Sequence, residues 1–540
     1  MSQDQSRLEI NKAEVLLGAG DFQRLIGSVE MRHQNSLISC DSAYFYRTEN
    51  RAQLYGNVKI QDVKDPITTT SAYAEYDGNT QIAKLRNKVV FTNQQTTLYT
   101  DYLDYNRATN VATYFNQGRV VDSTNVLTSD RGVYEVNQER ITFQRNVVLV
   151  NPDYTLKSSN LVYLTIPKTA ETKGLTNIVS SEGYTLDAQK GSFYDTQQKQ
   201  FRFFDGIVEN EDSRIKADEL FYDEIKGYYE GKSDVRVLNK EQQVEVFGDE
   251  GKHWEDRKYS LVYGKALVRR YFEKDTLYMI SDTLISQDSE SDTAKYLQAF
   301  RSVKLVKTGL AGKADSLFYN YSDSSIHLFK DPVLWNEKSQ ITADSMVFFI
   351  ANENLDRVLM KSKAFAILSD TLLNFNQMKG RKMTGYFENG QISRLEIDGN
   401  GESLYYALEG DSLVQGINRI LSATIKLSFE EGAIVKSNFG IRPDGKFVPV
   451  QKIDEKTSQL EGFTWRISEK PTKSTIDEWR KVIEIDPKAK NLFNEPELEI
   501  ILPTDEEIQK EVNKNPLVPA KKTLIRPIKP RGGLIQPTSN

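Results

Sequence analysis

The chain has 540 residues, 39% of them hydrophobic and 10% aromatic, which is too apolar for a disordered polymer. A formal charge of −6 leaves no electrostatic footprint for nucleic acid. A single cysteine, Cys40, excludes an intramolecular disulfide framework.

Met1–Ile10 lacks a basic stretch followed by an apolar one, and no later window approaches about 18 uninterrupted apolar residues. The chain therefore reads as soluble, with any export signal absent from this numbering.

From Cys40 onward one unit recurs: a small residue, a polar one that is often Asp, and an aromatic four or five positions later. The small-polar pairs are Cys40-Asp41, Thr70-Ser71, Thr100-Asp101, Ser129-Asp130, Ser158-Ser159, Ala188-Gln189, Ala217-Asp218, Gly248-Asp249, Ser281-Asp282, Ala314-Asp315 and Ala343-Asp344, spaced 29 to 33 residues apart. Fainter copies stand at Gly380-Arg381 and Ala423-Thr424. The following aromatics include Tyr46, Tyr76, Tyr105, Tyr134 and Tyr163.

Each unit carries a second arm that alternates with period two, as in Leu54-x-Gly56-x-Val58-x-Ile60 and Leu85-x-Asn87-x-Val89-x-Phe91. Period two means strands with one apolar face. Short polar links such as Asp77-Gly78-Asn79 join the arms into hairpins. One such hairpin cannot bury its own apolar face, so the units must stack.

The expected fold is thus all-β: an elongated repeat β-jellyroll or solenoid of stacked ~30-residue hairpins forming two facing sheets. Arms of ten or more residues would span roughly 35 Å if straight, so each should bend midway, with the small residue as the bend point. In series the arms would build a body on the order of 120 Å long.

The expected divisions are repeats over 8–240, more divergent repeats over 241–440, a C-terminal capping segment over 441–500, and a disordered Pro-rich tail over 501–540. The capping segment should hold a short helix with Ser474 as N-cap, Asp477 and Glu478 in its first turn, and Ile476, Trp479 and Ile483 on one face. The tail from Pro503 holds six of the 15 prolines and the cluster Lys521, Lys522, Arg526, Lys529 and Arg531.

Chemistry-bearing motifs are sparse. His33, His253 and His327 are widely separated, with no partner at metal-ligand spacing. One Asp per unit suits turn capping better than calcium, whose β-solenoid sites cluster several oxygens. Neither a Gly-x-Ser-x-Gly elbow nor a phosphate-binding glycine loop is present, which points to no catalysis and no cofactor.

Arg24-Leu25-Ile26-Gly27-Ser28-Val29, Cys40-Asp41-Ser42-Ala43-Tyr44-Phe45-Tyr46, Tyr55-Gly56-Asn57-Val58, Ala74-Glu75-Tyr76-Asp77 and Val147-Val148-Leu149-Val150-Asn151-Pro152 together resemble OstA-like proteins. That family includes the periplasmic bridge of the lipopolysaccharide transport machinery and the N-terminal domain of its outer-membrane translocon. The chain differs from both in being several times longer than the bridge and in having no run of barrel strands at its C-terminus.

The resemblance implies a non-enzymatic periplasmic carrier that shields lipopolysaccharide acyl chains in an apolar groove and pairs with other β-jellyroll components through edge strands. It implies a lipid-facing column at Val58, Ile60, Val89, Phe91, Val120, Val147 and Leu149, carried on to Ile178, Ile207 and Val235. On pattern alone the same column more often fills a closed core, and only the resemblance favours an open groove. The competing function is a polysaccharide-binding or structural β-solenoid or adhesin, with the aromatic column as a sugar platform.

Overall fold

A computed structural model describes residues 7–481 except 19, 64–65, 94–95, 123, 182, 290–293, 337, 352–353, 371, 389–390, 411–412 and 431–432. The expected tail over 501–540 lies outside the described residues, as does Ile483. The described residues form 34 β-strands and one α-helix, Lys473–Trp479. One compact unit takes in the chain through Asn210 together with Asp218–Ile225. The other takes in Glu211–Ala217 and the described chain from Lys226.

In the first unit most arms are 10 to 12 residues long, as in Ser36–Tyr46, Arg51–Asp62, Ile67–Asp77 and Ile82–Asn93, each antiparallel to the next. They are folded strands. Where an arm breaks outright, its two pieces pair with different halves of a neighbour: Thr169–Lys173 with Leu161–Leu164, and Thr176–Ser180 with Tyr154–Ser158. Each arm therefore contributes its two halves to two sheets, which face one another across one core. Phe91, in one sheet, meets the ring of Tyr105 in the other edge-on at 5.9 Å.

The corner of each fold has a constant chemistry. In Arg51–Asp62 the register shifts between Tyr55 and Val58, and the two intervening residues, Gly56 (φ 71°) and Asn57 (φ 42°), are left-handed. Asn87-Lys88, Asn116-Gln117, Arg145-Asn146, Ser233-Asp234 and Arg301-Ser302 repeat this in later arms. Non-glycine residues seldom adopt positive φ, and Asn and Asp do so most readily.

The Asp column answers these pairs from the adjacent arm. Asp41 Oδ2 accepts from Asn57 Nδ2 at 2.9 Å, Asp101 Oδ1 from the Lys88 amide at 2.9 Å, and Asp130 Oδ2 from Asn146 Nδ2 at 3.0 Å. A Cβ at Gly56 would fall 2.3 Å from Asp41 Oδ2, so a larger residue there would have to displace the Asp41 carboxylate as well as adopt the positive φ that glycine takes at no cost.

The small column does more than leave room. The hydroxyls of Ser71, Ser129, Ser158 and Ser281 each donate to the carbonyl two residues on, at 2.9 to 3.1 Å, and the Cys40 thiol does the same at 3.2 Å. The register breaks on these arms fall around the small residue, between Ser39 and Ser42 and between Thr70 and Tyr73, and the opposing arm spends one residue more at the same corner. Near the C-terminal end the hydroxyl role falls to Ser422, one residue before the Ala423-Thr424 pair.

In the second unit the outer sheet face is also apolar, and a C-terminal strap covers it. Leu460, Phe463 and Trp465 pack with Phe365, Ile367, Leu404 and Ile417, while Ile476 and Trp479 pack with Phe247, Leu267 and Ile280. Two buried glutamines read the strap's backbone. Gln377 accepts from the Leu460 amide and donates to the Ser458 carbonyl, both at 2.8 Å. Gln340 accepts from the Arg466 amide at 2.7 Å and donates to the Thr464 carbonyl at 2.8 Å.

The strap's helix is capped by Thr472 and not Ser474. Thr472 is extended, and its side chain accepts from the Thr475 amide while the Thr475 hydroxyl accepts from the Thr472 amide. Pro471 ahead of it and this reciprocal box start the helix two residues early, leaving Asp477 and Glu478 outside the first turn. Ile476 faces inward, fully buried.

Candidate functional site: an apolar interior with cavities

The interior of the first unit is built from the even positions of its arms. Leu54, Val58, Ile60, Leu85, Val89, Phe91 and Val147 are all buried in a single cluster that draws on both sheets. Each such side chain contributes roughly 1.5–3 kcal/mol of burial. The left-handed pair keeps the step from Leu54 to Val58 even, so the apolar column passes from one sheet to the other without changing face.

Val58, Ile60, Val89 and Val147 are filled core, and Val235 is equally buried within the second unit. Phe91 and Val120 line a cavity of about 70 Å³, together with Tyr114, Tyr134 and Phe143. Leu149 and Ile178 line a larger one of about 120 Å³, with Leu156, Leu161, Leu186, Phe201, Phe203, Val208 and Tyr222. The walls of both are mostly apolar.

Ile207 does not join them. It pairs with Asp187, while the cavity-lining Val208 pairs with Leu186. The corner of Gln200–Glu209 has one left-handed residue, Asp205, in place of the usual two, so the step across it loses a residue. Period two converts that loss into a change of face. The even spacing of the earlier arms, carried forward, therefore selects the wrong neighbour.

Opposite the corners, cross-links between the two sheets close the interior. His33 Nδ1 and the Tyr76 hydroxyl are 2.6 Å apart, Asn93 Nδ2 donates to the Tyr134 hydroxyl at 3.0 Å, and Arg107 pairs with Asp62. Tyr76 and Tyr105 are 0% and 2% exposed, which removes them as a surface platform for sugars.

Burial favours the neutral forms of Tyr154 and Cys40. Burial pushes the Tyr154 phenol at the larger cavity up to about 12, with the carboxylates of Asp153 and Asp122 adding to it. Burial likewise pushes the Cys40 thiol up to about 11, a structural thiol and not a nucleophile. Among the described residues no group of three or more His, Cys, Asp or Glu side chains is arranged to hold a metal ion, and no helix is long and apolar enough to cross a membrane.

Residues 6–159 match the model of a family described as OstA-like protein. This segment belongs to the OstA-like family. The smaller cavity is walled almost entirely by the OstA-like segment; the larger one begins in it at Leu149 and runs on past residue 159. Among solved structures the chain is similar to LptH of Pseudomonas aeruginosa, the LptA-homologous periplasmic component of the conserved lipopolysaccharide transport device. The identity is 19% over 20% of this chain and 83% of that chain, with a TM-score of 0.20. No curated protein matches the chain.

Proposed function

We propose that this protein is a non-enzymatic periplasmic carrier of lipopolysaccharide, holding acyl chains between its two sheets while the sugar head stays in water. The observation that carries this reading is the larger cavity, an almost wholly apolar space between facing sheets in a chain with an OstA-like segment. Each buried CH₂ contributes about 0.8 kcal/mol, so an acyl chain gains by leaving water for such a wall. At its present volume the cavity accepts part of a chain, and the two sheets must part further for the rest.

The lipid-facing set under this reading is Phe91, Val120, Leu149 and Ile178, with Val58, Ile60, Val89, Val147 and Val235 as the packed column that parts with them. Pairing with other β-jellyroll components is supported by the first arm. Val15–Leu17 bonds along one side to Phe22–His33, and Val15, Leu16 and Leu17 are exposed. Among the described residues no second strand pairs with Val15–Leu17, and an open apolar edge of this kind invites strand addition.

The test is mass spectrometry of lipids extracted from the purified protein, combined with photocrosslinking from position 149 or 178 and from position 207 as an outward-facing control. Lipopolysaccharide attached at the first two positions and absent from the third supports the carrier. A delipidated glycan bound in its place, or no lipid at any position, overturns it.

A further inference from the structure

In the second unit the Asp column closes ion pairs along a run of corners, and the next corner reverses the pattern. Asp282 Oδ2 lies 3.4 Å from Arg301 Nε, Asp315 Oδ2 3.0 Å from Lys330 Nζ, and Asp344 Oδ1 3.5 Å from Lys363 Nζ. Each of these cations is a left-handed residue of the corner that follows. One unit later the column holds Arg381, and the corner that follows is Gly399 (φ 78°) and Asn400 (φ 55°). A cation has replaced the carboxylate, and no carboxylate has replaced the cation.

Arg381 lies over its corner as Asp41 lies over Gly56. A Cβ at Gly399 would fall 2.9 Å from Arg381 Nε, which puts the guanidinium where other units hold the carboxylate. Its N–H donors have no hydrogen-bond or ion-pair partner among the described residues. The guanidinium stands on the wall of a cleft of about 1000 Å³ between the corners and strap residues 461 to 469. The other cations of that wall are paired: Lys363 with Asp344, Lys379 with Glu402 and Glu461, and Arg466 with Asp331 and Glu469.

The cleft therefore offers one open cation in a polar surround. A planar guanidinium fork matches a carboxylate or a phosphate group. Thr342, Asn400 and Thr464 on the same wall carry groups that hydrogen-bond hydroxyls, and the wall carboxylates also accept from them. Those same carboxylates repel a ligand with many negative charges.

We propose that this cleft binds a small hydroxylated acid, a sugar or polyol bearing one carboxylate or one phosphate, with Arg381 taking the acidic group. The cleft shares no lining residue with the apolar cavities, so the proposal goes beyond the acyl-chain reading and does not depend on it.

Glucuronate, glucose 6-phosphate, glucose and inorganic phosphate are titrated against the full chain by ligand-observed NMR, for the wild type, Arg381→Asp and Arg381→Gln. Arg381→Asp restores the residue that the preceding units carry at this place, and Arg381→Gln keeps a long polar side chain without the charge. The wild type is expected to bind one or both acids at least about five-fold more tightly than glucose or inorganic phosphate, and each variant to lose about ten-fold of that affinity. A wild-type melting temperature in either variant shows that the loss is local.

Acids bound no more tightly than glucose, inorganic phosphate bound as tightly as glucose 6-phosphate, or acid binding unchanged in a folded variant overturns the proposal. None of these results touches the acyl-chain reading, whose test is read at other residues.

Discussion

Asn93 Nδ2 donates to the Tyr134 hydroxyl at 3.0 Å, tying together residues 41 positions apart on the two facing sheets, and both side chains line the smaller cavity. The bond sits opposite the corners, where the sheets have no covalent connection. It belongs with His33–Tyr76 and Asp62–Arg107, which do the same for earlier units.

Tyr134→Phe removes this tie and keeps the ring. The loss should be about 1 kcal/mol in denaturant unfolding, and uptake of a fluorescent acyl probe should speed up. Unchanged uptake kinetics together with the expected stability loss would mean that the tie has no part in admitting guests.

Gln377 is fully buried and satisfies two backbone groups of the strap, the Leu460 amide and the Ser458 carbonyl. Gln377→Leu leaves both unmet at ~1–3 kcal/mol each. Hydrogen exchange at Leu460 should accelerate and protease cuts should appear between residues 450 and 470, with the far-ultraviolet β signal retained. Protection of Leu460 at the wild-type level would show that the apolar contacts alone hold the strap.

The assignment of faces beyond Asp205 can be read from one pair of substitutions. Val208→Lys places a charge in the apolar interior and should cost more than about 3 kcal/mol. Ile207→Lys lands opposite Asp187 and should stay within about 1 kcal/mol of wild type. The reverse order in thermal or denaturant melts would refute the one-residue shift.

His253 is half-buried, its Nδ1 lies 2.9 Å from Ser260 Oγ, and desolvation lowers its pKa below 6.5 against the opposing pull of Glu255 and Asp288. The fold therefore holds the neutral imidazole, while the unfolded chain takes up a proton below 6.5. This contribution is complete above that pH and is lost as pH falls through it. Between about pH 7.5 and 5.5, His253→Gln should show a shallower decline in stability than the wild type. Parallel declines would assign the pH dependence to other groups.

The repeat, the hairpins and the apolar column at Val58, Val89 and Val147 could be read from the sequence because period two and a 29–33-residue unit are strong, local signals. Ile207 was misplaced because counting cannot see how many residues a corner spends. That number follows from backbone conformation, and the only trace was Asp205-Gly206 where two left-handed residues were due. Ser71, Ser129 and Ser158 looked merely small, yet their hydroxyls serve a carbonyl that the corner leaves free.

Gln340 and Gln377 were invisible for another reason. Each looks like an ordinary polar position in an alternating strand, and their partners lie more than 80 residues away.

The single left-handed residue at Asp205 has an evolutionary corollary. In a flat sheet, losing one residue inverts every side chain downstream in that strand. Here the corner absorbs the phase error: the half-strand on one side keeps its orientation, the other half re-registers, and the next hairpin starts afresh. Insertions and deletions at corners are thus the cheapest edits available to this architecture, and lineages of such proteins should differ in length mostly there and by whole repeats.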